Sequence, residues 1–123
     1  MAAYPPLLTK LANTPVLRSE MPAGFTRAAV VKLPAEQTYH LLGGVRIDFK
    51  NAHETDSESY GLFATPAQAQ TFARVAANVR TGGLFSVAVM PVGRIVVAAT
   101  AGTRAQVNAL LQLALAHLRR SKV

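Results

Sequence analysis

The residues best equipped for chemistry stand in one run, Asn51-Ala52-His53-Glu54-Thr55-Asp56-Ser57-Glu58. It brings together imidazole, carboxylate and hydroxyl groups, the donor types of a hard-cation site or a general acid–base pair. His53, Glu54 and Asp56 are the candidate metal ligands. Their spacing is not that of a calcium loop, which needs Asp-x-Asp-x-Asp-Gly and a later Glu. Nor is it the two-histidine helical zinc motif. By composition the run reads as a solvated loop between strands.

A second group gathers before Gly43-Gly44, a glycine pair that lets backbone approach a ligand closely. Tyr39 and His40 precede it, and with Arg46 and Tyr60 they make the candidate polar lining of a ligand pocket. A phosphate fingerprint is absent, because the third glycine and the following helix are missing. His117 falls near the end of a helix, where a positive charge suits the dipole. No serine sits in a Gly-x-Ser-x-Gly elbow. The chain has no cysteine, so disulfides, thiolate metal sites and cysteine nucleophiles are excluded. No catalytic residue and no cofactor are assigned, and the reading leans away from an enzyme.

The elements that must position these residues follow from patterning. Pro5-Pro6 with Leu7, Leu8 and Leu11 predicts a short helix closing at Pro15, within a lead-in spanning residues 1–23. Phe25–Lys32 reads as a strand stopped by Pro34. Val45, Ile47 and Phe49 alternate with Arg46, Asp48 and Lys50, the period of a strand with one wet face. Asn51–Ser57 is read as loop and Ser59–Phe63 as a third strand.

Thr65-Pro66-Ala67-Gln68 and Thr103-Arg104-Ala105-Gln106 are two capping boxes, each opening a long helix. The first carries Ala69, Phe72, Val75, Ala76 and Val79 on one stripe and is expected to end near Arg80, with Gly82-Gly83 as its left-handed cap. The second carries Val107, Leu110, Leu111, Ala114 and Leu118 and ends in Arg119-Arg120. Between them, Leu84–Met90 and Arg94–Thr100 are apolar at nearly every position, which predicts two central strands covered on both faces.

The expected fold is therefore one α+β domain over residues 1–123, in the order α-β-β-β-α-β-β-α. An antiparallel sheet of about five strands would carry both long helices on one face, with the short N-terminal helix beside them. Leu113 and Leu115 widen the apolar arc of the last helix, which suggests a homodimer through that helix.

Thirteen Lys and Arg against six Asp and Glu give a net charge of +7. That favours an acidic partner of some kind, without choosing one. Nucleic acid is disfavoured, since no strand interleaves basic residues with aromatics and no helix carries a basic face. Half of the residues are hydrophobic, which excludes a disordered chain. Leu84–Ala101 is broken by Pro91, Gly93 and Arg94 and so does not read as a membrane span. Met1–Lys10 lacks the charged and long apolar regions of a signal peptide. The expected location is cytoplasmic as written, or extracytoplasmic for a mature fragment.

Three fragments carry a resemblance. Met21-Pro22-Ala23-Gly24-Phe25, the run Tyr60–Ala69, and Val92–Ala98 with the helix ending Ala116-His117-Leu118 resemble segments of small actinobacterial exported proteins. Many of those are lipoproteins or extracytoplasmic sensor-like α+β domains, and some are regarded as ligand binders. The resemblance implies export and ligand binding but transfers no catalytic residue. The chain departs from the family in having neither a lipobox cysteine nor a signal peptide. The function expected is that of a non-enzymatic binding or interaction domain. The alternatives are a small ferredoxin-like dimeric enzyme or cofactor binder with a pocket between sheet and helices and, after it, sequence-independent nucleic-acid binding.

Overall fold

Proline at the first helical position opens the chain's architecture, because its fixed φ suits a helix start and its missing N–H would be unpaired there anyway. Pro6 begins α1 (Pro6–Asn13) in this way, and Leu8 and Leu11 turn its apolar side fully inward. The computed structural model describes residues 4–77 and 85–122. A single 3-10 turn, Arg18–Glu20, leads to β1 (Thr26–Leu33). A second such turn, Gln37–Tyr39, precedes β2 (Leu41–Lys50). Then come β3 (Thr55–Phe63), α2 (Pro66–Ala77), β4 (Ser86–Val92), β5 (Ile95–Ala101) and α3 (Arg104–Ser121).

The five strands form one antiparallel sheet in the order β1-β2-β3-β5-β4. The expected element order and sheet are both present. Because side chains alternate across a strand, each strand contributes to two layers. Val45, Ile47 and Phe49 of β2, Tyr60 and Leu62 of β3, and Ile95, Val97, Ala99 and Ala101 of β5 pack under α1 and α3. Phe63 and Val96, of opposite parity, pack instead with Ala69, Phe72 and Ala73 of α2.

The long helices thus divide between the faces, α3 with α1 on one and α2 on the other, rather than sharing one face. An interior strand apolar at every position needs this arrangement, since both sides of β5 must be covered. The inner stripe of α3, with Val107, Leu110, Leu111, Ala114 and Leu118 all buried, is the largest helical share of the core. Each large side chain there contributes about 1.5–3 kcal/mol by leaving water.

Several boundaries differ from the sequence reading. β2 begins at Leu41, four residues before Val45, with an irregularity between Leu41 and Gly43. β3 begins at Thr55, so the loop shrinks to 51–54 and Asp56 and Glu58 enter the sheet. β4 is an edge strand, not a central one, and its end at Met90, Pro91 and Val92 is exposed. Its apolar character reflects helices reaching it from both sides, Val89 beside α2 and Ala88 beside the α3 layer. The β4–β5 turn centres on Gly93-Arg94, where Gly93 takes φ +58°, a left-handed value costly for most residues. The expected end of α2 near Arg80 and its Gly82-Gly83 cap lie outside the described residues.

Both threonine caps form, but only by half. Thr65 Oγ1 accepts the N–H of Gln68 at 3.2 Å, and Thr103 Oγ1 that of Gln106 at 3.1 Å. The glutamines do not complete the boxes: Gln106 turns its amide toward Glu54 at 3.4 Å, and Gln68 Oε1 is buried without a partner. The broad apolar arc of α3 is used inside the chain, since Leu115 is buried and Leu113 packs on the same core. Its width therefore requires no second copy. No helix among the described residues is long and apolar enough to cross a membrane.

Candidate functional site

Among the described residues, the face of the sheet that carries α2 is only partly covered, and cross-strand pairing decides what they leave bare. Leu33, Gly44, Gly61 and Val96 form one rung on that side, and Val31, Arg46, Ser59, Ala98 and Val89 the next. Small residues at the centre of both rungs leave a trough beside α2. A cavity of about 280 Å³ lies there, floored by Gly44, Ser59, Gly61 and Ala98 and walled by Phe63, Phe72, Ala76, Val87 and Val89. Gly44 is required by shape, because a Cβ there would stand 2.9 Å from the carbonyl oxygen of Tyr60. Among the described residues the lining has no charged side chain, and Ser59 brings a hydroxyl to that face.

Phe72 divides this trough from a second, outer groove of about 390 Å³, lined by Thr38, Tyr39, His40, Gln68, Thr71 and Val75 among others. Its ring meets Tyr39 edge-on at 5.3 Å and Phe63 at 5.1 Å. An aromatic series thus runs from the surface to the sheet, a geometry that favours tilted and edge contacts. His40 occupies the left-handed region at φ 60° as the residue that ends the turn before β2.

Of the four pocket residues expected from sequence, Tyr39 and His40 do line a groove together. Arg46 stands on the trough's face, but its guanidinium is directed along β2 to Asp48, at 2.9 and 3.2 Å. Ser57 donates to the same carboxylate at 2.7 Å. Tyr60 is elsewhere: its fully buried side chain lies in the core beneath α3, and the opposite face sees only its backbone.

Of the expected metal ligands, Glu54 and Asp56 are neighbours. His53 is exposed, and its backbone N–H, like that of Glu54, bonds to Asn51 Oδ1. Asp56 points into the core. Among the described residues no group of three or more His, Cys, Asp or Glu side chains is placed to hold a metal ion.

Sequence reasoning missed a buried polar row under α3. Asp56, Glu58 and Tyr60 follow one another on the same face of β3 and are all buried. The Tyr60 hydroxyl lies 2.7 Å from Glu58 Oε1 and 3.2 Å from the carbonyl oxygen of Ala114. Burial pushes the Glu58 carboxyl up to about 8, against a lowering by the Tyr60 bond. Burial, and then the neighbouring Glu54, push Asp56 up to about 7. Tyr60 is driven well above its ordinary range by burial and by Glu58.

At the end of α3, His117 Nδ1 lies 2.8 Å from Glu20 Oε1, and Arg120 grips the same carboxylate with two nitrogens at 2.6 and 2.9 Å. Arg120 also donates to the carbonyl of Pro15. Arg120, with His117 and the N–H of Leu17, holds Glu20 down at about 2 against its own burial. The signal for this row was the period-two set Asp56, Glu58, Tyr60, Leu62, which continues the buried parity of the strand upstream into charged residues.

No protein-family model, curated protein or solved structure matches this chain.

Proposed function

We propose that the domain is a non-enzymatic binding module that receives an apolar ligand in the trough between α2 and the sheet. The observation that carries this reading is a concave site whose floor is kept low by Gly44, Ser59, Gly61 and Ala98 and whose walls are aliphatic and aromatic. Ligand sites are typically of this kind, apolar with few polar groups. A site of about 280 Å³ is the size of roughly nine water molecules of liquid, and suits a short aliphatic chain or a two-ring molecule. Among the described residues, the lining presents no acid, base or activated nucleophile to the space. The resemblance to small exported proteins, some regarded as ligand binders, is in keeping with this reading.

The test is titration of the full chain with 8-anilinonaphthalene-1-sulfonate, an apolar fluorescent probe, followed by competition with medium-chain alcohols. Saturable enhancement at one equivalent, displaced by the alcohols and weakened at least tenfold by Ala98→Phe, is the expected result. Ala98→Phe binding the probe as well as the unsubstituted chain, or no saturable binding at all, would overturn the reading. Thermal melting of the variant shows that it is folded.

A further inference from the structure

We propose that Glu58 is held in the core as a neutral acid whose proton is donated to Tyr60, and that removing this proton loosens α3 from the sheet. The argument begins with a shortage of hydrogens. The Tyr60 hydroxyl has a single proton but stands within hydrogen-bond distance of two acceptors, Glu58 Oε1 at 2.7 Å and the carbonyl oxygen of Ala114 at 3.2 Å. With Glu58 ionised, one of those contacts lacks a proton. With Glu58 protonated on Oε1, the chain closes: Glu58 donates to Tyr60, and Tyr60 donates to Ala114.

The other carboxyl oxygen decides between the two forms. Glu58 Oε2 is buried with no hydrogen-bond partner among the described residues. An unpartnered neutral carbonyl is a modest cost, whereas an unpartnered buried charge is a large one. Among the described residues no ion pair brings a cation to it. From α3, Arg120 is committed to Glu20 through both carboxylate oxygens, and His117 Nδ1 bonds to that same residue. From the 3-10 turn before β1, Glu20 adds a further negative charge that opposes ionisation. From β3 itself, Asp56 is the next acid along the face, with Glu54 as its neighbour. The cross-strand neighbours, Ile47 and Ala99, are apolar. All these surroundings agree with the raised value near 8.

The link to α3 is the Ala114 carbonyl, in the middle of the helix that seals this face. An ionised Glu58 takes the tyrosine proton for itself, breaks the bond that ties the Ala114 carbonyl to the sheet in addition to its helical one, and places a charge beneath the apolar stripe of the helix. Because the unfolded chain ionises at the ordinary 4.5, the folded state holds an extra proton above that value. Its stability falls as pH rises toward 8 and levels off above it.

Asp56 titrates in a neighbouring range, so the experiment uses the full chain carrying Asp56→Asn, with and without Glu58→Gln. Backbone amide exchange, corrected for intrinsic rates, is followed from pH 5 to pH 9. With Glu58 present, protection of the most slowly exchanging amides is expected to fall by about tenfold per pH unit over most of the range up to 8. Above pH 8, amides of α3 near Ala114 are expected to exchange ahead of those of β3 and β5. Glu58→Gln, which keeps shape and a donor, is expected to remove both effects. Infrared absorption supplies a second reading that does not depend on that variant folding. The Asp56→Asn protein at pH 7 is expected to show a protonated carboxyl band that vanishes by pH 10. Absence of the band overturns the neutral acid, as does equally steep loss of protection with and without Glu58→Gln. Simultaneous exchange of helix and sheet amides overturns the loosening of α3.

Discussion

Replacing Glu20 by glutamine removes one charge from the junction between the lead-in and the last helix and leaves its shape almost unchanged. The carboxylate there is buried and accepts from Arg120 twice, from the N–H of Leu17 at 3.1 Å and, at 2.8 Å, meets His117 Nδ1. Its folded value of about 2 lies below the ordinary 4.5. For a carboxylate held down in the folded state, the stabilisation is complete above the unfolded value and is lost as pH falls through the folded one. At about 1.4 kcal/mol per pH unit, the gap corresponds to about 3 kcal/mol at pH 7, and to nothing at pH 2 or below. Glu20→Gln should therefore lower stability by about 2–3 kcal/mol at pH 7, with the amide also facing Arg120 as a donor. Urea unfolding at pH 7 and at pH 3 measures it. The midpoint difference should be large at pH 7 and shrink at pH 3. A variant within about 0.5 kcal/mol at pH 7, or a difference independent of pH, would refute the account of this junction.

The same reasoning gives the chain an acid optimum. Glu20 contributes less as pH drops below about 4.5, while Asp56 and Glu58 weaken the fold as pH rises from about 4 toward about 7 and 8, so melting temperature should peak near pH 4. Thr103→Ala removes the cap bond to Gln106 and should cost about 1 kcal/mol by thermal unfolding. Leu110→Ala empties a fully buried site under α3 and should cost about 2–5 kcal/mol, whereas Leu113→Ala, at the half-buried margin, should cost less than half as much. Gly44→Val forces a Cβ against the Tyr60 carbonyl and should destabilise by about 1–3 kcal/mol despite the strand preference of valine.

How much of this was legible in the chain depended on whether a signal was local. Thr65 and Thr103 announced their helices because a cap is decided within four residues, and the alternation from Val45 to Lys50 announced β2 for the same reason. Which side of the sheet each helix takes was not local. An apolar stripe says that a helix has an inner side, not what it faces. Even so, Ile95–Ala101 carried the answer, since an interior strand apolar on both parities cannot have both long helices on one side. The start of β3 was obscured because acids at Asp56 and Glu58 argue against burial, so the strand seemed to begin only at Ser59. Tyr39 and His40 were found through their glycine neighbours. Tyr60 was misplaced because its parity belongs with those acids.

The Glu20–Arg120 junction also bears on how the molecule is made. It ties together residues a hundred positions apart, and α1 reaches the same end of the chain through Lys10 and the carbonyl of Lys122. During ribosomal synthesis the first twenty residues have no native partner there until the last turn of α3 has emerged. The apolar side of α1 meets β1 and β2 early, but its contact with α3 must wait until that helix has been made.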